Sequence, residues 1–171
     1  MNHNFFLTGF MGSGKSHWGK IWADRNKLAF FDLDHEIEAE SGLKINEIFE
    51  KQGEEVFRKM EADHLRKFEK KNNFLLSCGG GTPVFFDNQE WMKSKGTVIY
   101  LKAGPAYILQ RVMTEVDQRP ILKKTNSSEL LFFIENKLKE RSASYERADL
   151  ILDAENLDEN SLTPYLNTWN K

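Results

Sequence analysis

The sequence predicts a single α/β domain, with a five-stranded parallel sheet covered by helices on both faces. Three observations lead there. Short apolar runs recur at FFLTG (5–9), LAFFD (28–32), FLLSC (74–78), TVIYL (97–101) and ADLIL (148–152). Each is almost continuously apolar, as strands buried on both faces are, where a half-exposed strand would alternate. Between the runs lie longer charged segments with apolar residues at helical spacing. Finally, 171 residues suit one domain with its own core, so residues 1–171 are read as one unit.

The composition narrows the partners. Lys+Arg number 24 against 26 Asp+Glu, for a net charge of -2, with 40% hydrophobic and 29% charged residues. That balance argues against nucleic acid or an anionic membrane, both of which reward a basic surface. The single cysteine, Cys78, leaves no internal disulfide and fits a reducing compartment. The opening MNHNFFLTGF lacks the charged and long apolar regions of a signal peptide. The longest apolar run, 130–134, is far short of a membrane span. A cytoplasmic protein is expected.

Taken in order, the first strand runs into GFMGSGKS (9–16), which matches G-x-x-x-x-G-K-S between a predicted strand and a predicted helix. Gly9, Gly12 and Gly14 let the backbone turn so that successive N–H groups can point at phosphate oxygens. The helix N-terminus adds favourable partial charge. Lys15 supplies a point charge to the β and γ phosphates, and the Ser16 hydroxyl suits the coordination shell of Mg²⁺. ATP or GTP binding follows, though the motif names no reaction.

The second strand ends in FDLDHEIE, with Asp32 and Asp34 two residues apart. In an extended chain such residues point the same way, and strand ends border the ligand crevice of an open parallel sheet. One carboxylate could hold Mg²⁺ waters while the other orients an attacking hydroxyl. Either aspartate could instead cap the following helix; the phosphate loop favours the catalytic reading. Residues 44–71 read as two helices broken near Gly53, with Ile45, Ile48 and Phe49 on one face and Val56, Phe57 and Met60 on the next. Arg58 lies here, with Glu61 one turn later to hold it. The third strand ends in SCGGGTP, where three glycines leave bare backbone for a small polar ligand. The polar stretch 114–128, interrupted by Pro120, lies between two helical patterns, and the acidic tail after Asp153 should close with a terminal helix.

Together the phosphate loop, FDLDHEIE, INEIFEKQGEEVFRKMEADHL, CGGG, RP and ERSASYERAD resemble shikimate kinases, P-loop enzymes in the fold group of nucleoside monophosphate kinases. The resemblance spans about 5–152. It implies a three-layer P-loop kinase fold with an acceptor-binding helical insertion at about 33–71 and a lid at about 114–128. It also implies transfer of phosphate from ATP to the 3-hydroxyl of shikimate, in aromatic amino-acid biosynthesis, by a monomer using Mg²⁺. Carried over by motif, Gly12, Ser13, Gly14, Lys15 and Ser16 would bind ATP, Ser16 and Asp32 would serve the metal, and Asp34 would bind and orient the reacting hydroxyl. Arg58 and Arg141 would clamp the substrate carboxylate, Gly79, Gly80 and Gly81 would meet the ring hydroxyls, and Phe49 and Phe57 would form apolar walls. Arg119 would neutralise the transferring phosphoryl from the lid, and Arg111 would lie near adenine.

Two departures stand out. His17 and Trp18 replace a small β-branched pair, where packing or solvent exposure is the expectation, and Cys78 replaces a threonine whose hydroxyl could touch metal-bound water. The remaining histidines show no metal-ligand spacing. Two other functions stay open: a P-loop kinase of another small acceptor such as gluconate or a nucleoside monophosphate, and a nucleotide-binding regulator without turnover.

Overall fold

The structure, a computed structural model, describes residues 3–114 and 126–166. Strands β1 (Asn4–Thr8), β2 (Ala29–Asp32), β3 (Phe74–Ser77), β4 (Thr97–Lys102) and β5 (Leu150–Asp153) form the expected sheet. Their order is β2-β3-β1-β4-β5, and every neighbouring pair is parallel. The central strand shows why its run is continuously apolar. Phe5 and Leu7 enter one core with Trp22, Ile99 and Leu101, while Phe6 enters the opposite core with Leu33, Ile37 and Phe57. Helices therefore cover both faces, giving three layers. Because β1 lies between β3 and β4, the winding reverses beside it, and a crevice opens at the strands' carboxyl ends.

Helix α1 (Lys15–Arg25) follows the phosphate loop directly, while α2 (Leu33–Ser41) and α3 (Ile45–Arg66) form the insertion between β2 and β3. The second strand is shorter than a reading through Asp34 requires. It stops at Asp32, whose side chain accepts from the His35 amide at 3.5 Å and caps α2. Asp34 thus sits in the first helical turn, and strand alternation is not what aims it at the crevice. Helix α2 begins here because Leu33 and Ile37, one turn apart, are both fully buried.

The break near Gly53 is present: its φ of 84° and ψ of 168° interrupt α3. The apolar face expected beyond it is only partly correct. Phe57 is buried, but Val56 is 41% exposed. The buried face runs through Phe57, Arg58, Glu61, His64 and Leu65, so charged residues occupy positions that an apolar count overlooks.

Helix α4 (Asn88–Lys95) precedes β4, and α5 (Pro105–Thr114) and α6 (Ser127–Tyr145) flank the proposed lid. Most of that lid, 115–125, lies outside the described residues, and Arg119 with it. The terminal helix α7 is short, Thr163–Leu166.

Candidate active site

The phosphate loop has the backbone its glycines suggest. Gly9, Gly12 and Gly14 hold φ values of 143°, 76° and 91°, a region that side chains disfavour. Gly14 is also the residue from which α1 starts. The Lys15 ammonium donates to the carbonyls of Gly9 at 2.8 Å and Phe10 at 2.9 Å, which anchors it over the loop. Ser13 is fully buried, and its amide donates to Phe10 O at 3.2 Å.

Beside the loop, the Ser16 hydroxyl donates to Asp32 Oδ2 at 2.6 Å and lies 3.3 Å from Ser77 Oγ. Hard oxygens from α1, β2 and β3 thus meet at one point. Among the described residues no cluster of three or more His, Cys, Asp or Glu could hold a metal by itself. This suits Mg²⁺, which keeps several waters and shares its remaining positions between one or two protein oxygens and substrate phosphates. Ser77 answers the question raised by Cys78. The Cys78 thiol is buried, with Leu76 O at 3.8 Å and Met92 Sδ at 3.7 Å, and burial pushes its pKa well up. The hydroxyl near Ser16 comes from the preceding residue.

Asp34 lines the same crevice, of about 720 Å³. Burial raises its pKa to about 6, helped by the negative charges of Asp32 and Glu61 and opposed by Lys15. An acid titrating this close to neutrality can both hold and accept a hydroxyl proton.

On the far wall, the Arg58 side chain is 8% exposed and donates through Nη1 to Glu61 Oε2 at 3.0 Å. Glu61 also accepts from the Thr82 hydroxyl at 2.6 Å, and burial raises its pKa although Arg58 pulls the other way. The Phe49 and Phe57 rings lie beside this pair with centroids 4.6 Å apart, tilted by 38°.

The three glycines after β3 are needed for space. None has positive φ. A Cβ on Gly79 would lie 2.6 Å from Glu61 Oε1 and 3.2 Å from Asp34 Oδ1, one on Gly80 3.2 Å from Arg141 Nη1, and one on Gly81 2.4 Å from Arg58 Nη1. The loop is therefore the floor on which charged heads from α2, α3 and α6 converge. Its carbonyls are taken internally: Gly79 O by the Thr82 amide, Gly81 O by the Val84 amide, and Gly80 O by the Tyr145 hydroxyl at 2.6 Å. Amide N–H groups are what remains for a ligand.

Arg111 reaches the crevice from α5, with Nη1 donating to the Tyr107 hydroxyl at 3.2 Å. Its Nε is buried and, among the described residues, has no hydrogen-bond partner. Trp18 packs on Trp22 with ring centroids 5.9 Å apart, whereas exposed His17 lies on the crevice rim. Every expected site residue within the described part lines the crevice except Ser13. Sequence reasoning missed Ser77, Thr82 and Tyr145. Only Tyr145 left a signal, one helical turn after Arg141.

A phosphate loop, a nearby carboxylate and two arginines around one crevice at a parallel sheet's switch point define a P-loop kinase. A family model described as "Shikimate kinase" matches residues 11–169. The chain is 39% identical over 152 residues to a shikimate kinase of Parabacteroides distasonis, covering 89% of this chain and 88% of that one. It is 38% identical over 156 residues to that of Bacteroides fragilis, covering 91% and 87%. Among solved structures, shikimate kinase from Bacteroides thetaiotaomicron superposes with a TM-score of 0.89 at 34% identity, covering 98% of this chain and 96% of that one. Shikimate kinase from Acinetobacter baumannii in complex with shikimate gives 0.83 at 32% identity, covering 96% and 90%. The chain belongs to the shikimate kinase family.

Proposed function

We propose that the protein transfers the γ-phosphoryl group of ATP to the 3-hydroxyl of shikimate, forming shikimate 3-phosphate and ADP. The observation that carries this is the placing of Arg58, Arg141 and Asp34 around the glycine floor, opposite the phosphate loop. Arg58 and Arg141 supply planar donor forks for the acceptor's carboxylate. The amides of Gly79, Gly80 and Gly81 meet ring hydroxyls, and Phe49 and Phe57 enclose the apolar ring edge.

Lys15 and the loop amides of Gly12 and Gly14 hold the phosphates, with Arg111 on the adenine side. Ser16 and Asp32 would hold Mg²⁺, which would neutralise charge on the phosphates. Asp34 orients the acceptor hydroxyl and receives its proton as the oxygen bonds to the γ-phosphorus and the bond to the β,γ-bridging oxygen breaks. Arg119, carried by a lid at about 114–128, neutralises the moving charge, while the lid keeps water from taking the phosphoryl group. The protein is read as a monomer, with ATP and the acceptor as its small-molecule partners. No described helix is long and apolar enough to cross a membrane; the cytoplasmic setting rests on the single cysteine, which fits a reducing compartment.

Gluconate is the rival acceptor, since it too is a carboxylated polyol. ADP release should be measured with shikimate, gluconate, a nucleoside monophosphate and no acceptor. Shikimate alone should stimulate release strongly; release indifferent to shikimate would overturn the assignment, and release indifferent to every acceptor would point to the regulator.

A further inference from the structure

Arg58 has a partner that the chemistry above does not use. Its Nε and Nη2 donate to Glu54 Oε1 at 3.2 and 3.0 Å, while Nη1 donates to Glu61 Oε2 at 3.0 Å. A guanidinium offers five N–H donors in a rigid plane. Glu54 takes the single Nε donor and one on Nη2, and Glu61 takes one on Nη1. One N–H therefore remains on each Nη nitrogen, a pair able to meet the two oxygens of a carboxylate.

The two glutamates differ in setting. The Glu61 side chain is fully buried, whereas that of Glu54 is 56% exposed. Glu54 follows directly on Gly53, whose non-helical φ and ψ restart the helix there and put Glu54 one turn before Arg58. The Phe85 ring lies 4.4 Å from the guanidinium carbon, adding a flat aromatic contact. These contacts restrict both the tilt and the rotation of the fork.

We propose that Glu54 is a positioning residue for acceptor binding. By holding the Nε side of Arg58, it keeps the two unused donors turned toward the substrate carboxylate. This rests on the role given to Arg58 above. Charge alone predicts the opposite sign, since removing a carboxylate beside an anion site should tighten anion binding. Geometry outweighs charge because water screens the field of an exposed carboxylate, whereas the orientation of a buried guanidinium is felt undiminished.

The test compares Glu54→Ala, Glu54→Gln and Arg58→Met for the KM of shikimate, the KM of ATP and thermal stability. It uses shikimate and its methyl ester, which keeps the ring but lacks the anionic carboxylate. Glu54→Ala should raise the KM of shikimate about tenfold, with a much smaller change for the ester and for ATP. Glu54→Gln keeps an acceptor oxygen and should recover most of the loss. A lowered shikimate KM in Glu54→Ala would make Glu54 a competitor of the substrate and overturn the proposal. So would an equal rise for acid and ester, the mark of a merely structural role. If Arg58→Met itself leaves the shikimate KM unchanged, the reading of Arg58 fails. If Arg58→Met raises it and Glu54→Ala does not, only the role of Glu54 fails.

Discussion

Asp34→Asn should make the protein more stable while abolishing turnover. In the folded chain burial, Asp32 and Glu61 raise the Asp34 pKa from the ordinary 3.8 to about 6. The native state thus holds the Asp34 proton more tightly than the unfolded chain. Stability from this residue is full at low pH and falls as pH rises through 4 toward 6. At about 1.36 kcal/mol per pH unit, the full shift corresponds to ~3 kcal/mol above pH 7. Part of the side chain opens on the crevice and water screens it, so a gain of about 1–3 kcal/mol is expected for Asp34→Asn at pH 7.5. In a chain of this size that raises Tm by roughly 2–10 °C. At pH 5 wild-type Asp34 is already mostly protonated when folded, and the gain should shrink to about half. Thermal and urea unfolding at both pH values measure this, and ADP release measures turnover. A variant less stable at pH 7.5, or a gain that does not shrink at pH 5, would refute the reasoning. In the wild type, kcat/KM for shikimate should rise with pH through about 6, because the ionised carboxylate accepts the proton.

Three further outcomes are expected. Arg119→Ala should lower kcat at least about tenfold with the shikimate KM nearly intact, as loss of a transition-state charge contact does, and an unchanged kcat in steady-state assays would remove the residue from the mechanism. Gly81→Ala puts a methyl group 2.4 Å from Arg58 Nη1, so calorimetric shikimate affinity should fall about tenfold or more while ATP affinity stays within about twofold; equal losses would mean general misfolding. Tyr145→Phe removes the donor to Gly80 O and should cost about 1 kcal/mol, or ~2–4 °C in Tm, by scanning calorimetry.

What could be read in the sequence, and what could not, divides along a physical line. The phosphate loop depends on a few adjacent residues, and Gly9, Gly12 and Gly14 adopt the positive φ that their spacing suggests. The five strands were visible because a sheet buried on both faces requires unbroken apolar runs. The end of β2 was not, because an aspartate can close a strand or cap a helix, and Asp32 does both. Asp34 reaches the crevice from a helical turn, so the expected place is reached by a different geometry. Ser77 and Tyr145 stayed hidden because their partners, Ser16 and Gly80, lie 61 and 65 residues away. Val56 was misplaced because the buried face of α3 carries Arg58 and Glu61, and apolar counting excludes charged residues by construction.

The glycine floor shows how such a buried charged face is tolerated. Burying ionised groups is costly unless each meets a partner of good geometry. Glu61 meets Arg58 and Thr82, and Arg141 lies near enough to lower the Glu61 pKa. These contacts require heads from separate elements to approach one backbone segment more closely than a Cβ permits, at Gly79 for the carboxylates, Gly80 for Arg141 and Gly81 for Arg58. Among these crowded groups, Asp34 has burial and the like charges of Asp32, Glu61 and Glu38 raising its pKa, with Lys15 opposing them. The floor therefore does two things at once. It lets the Arg58–Glu61 ion pair close, and it leaves Asp34 at a pKa where a carboxylate can take up a proton.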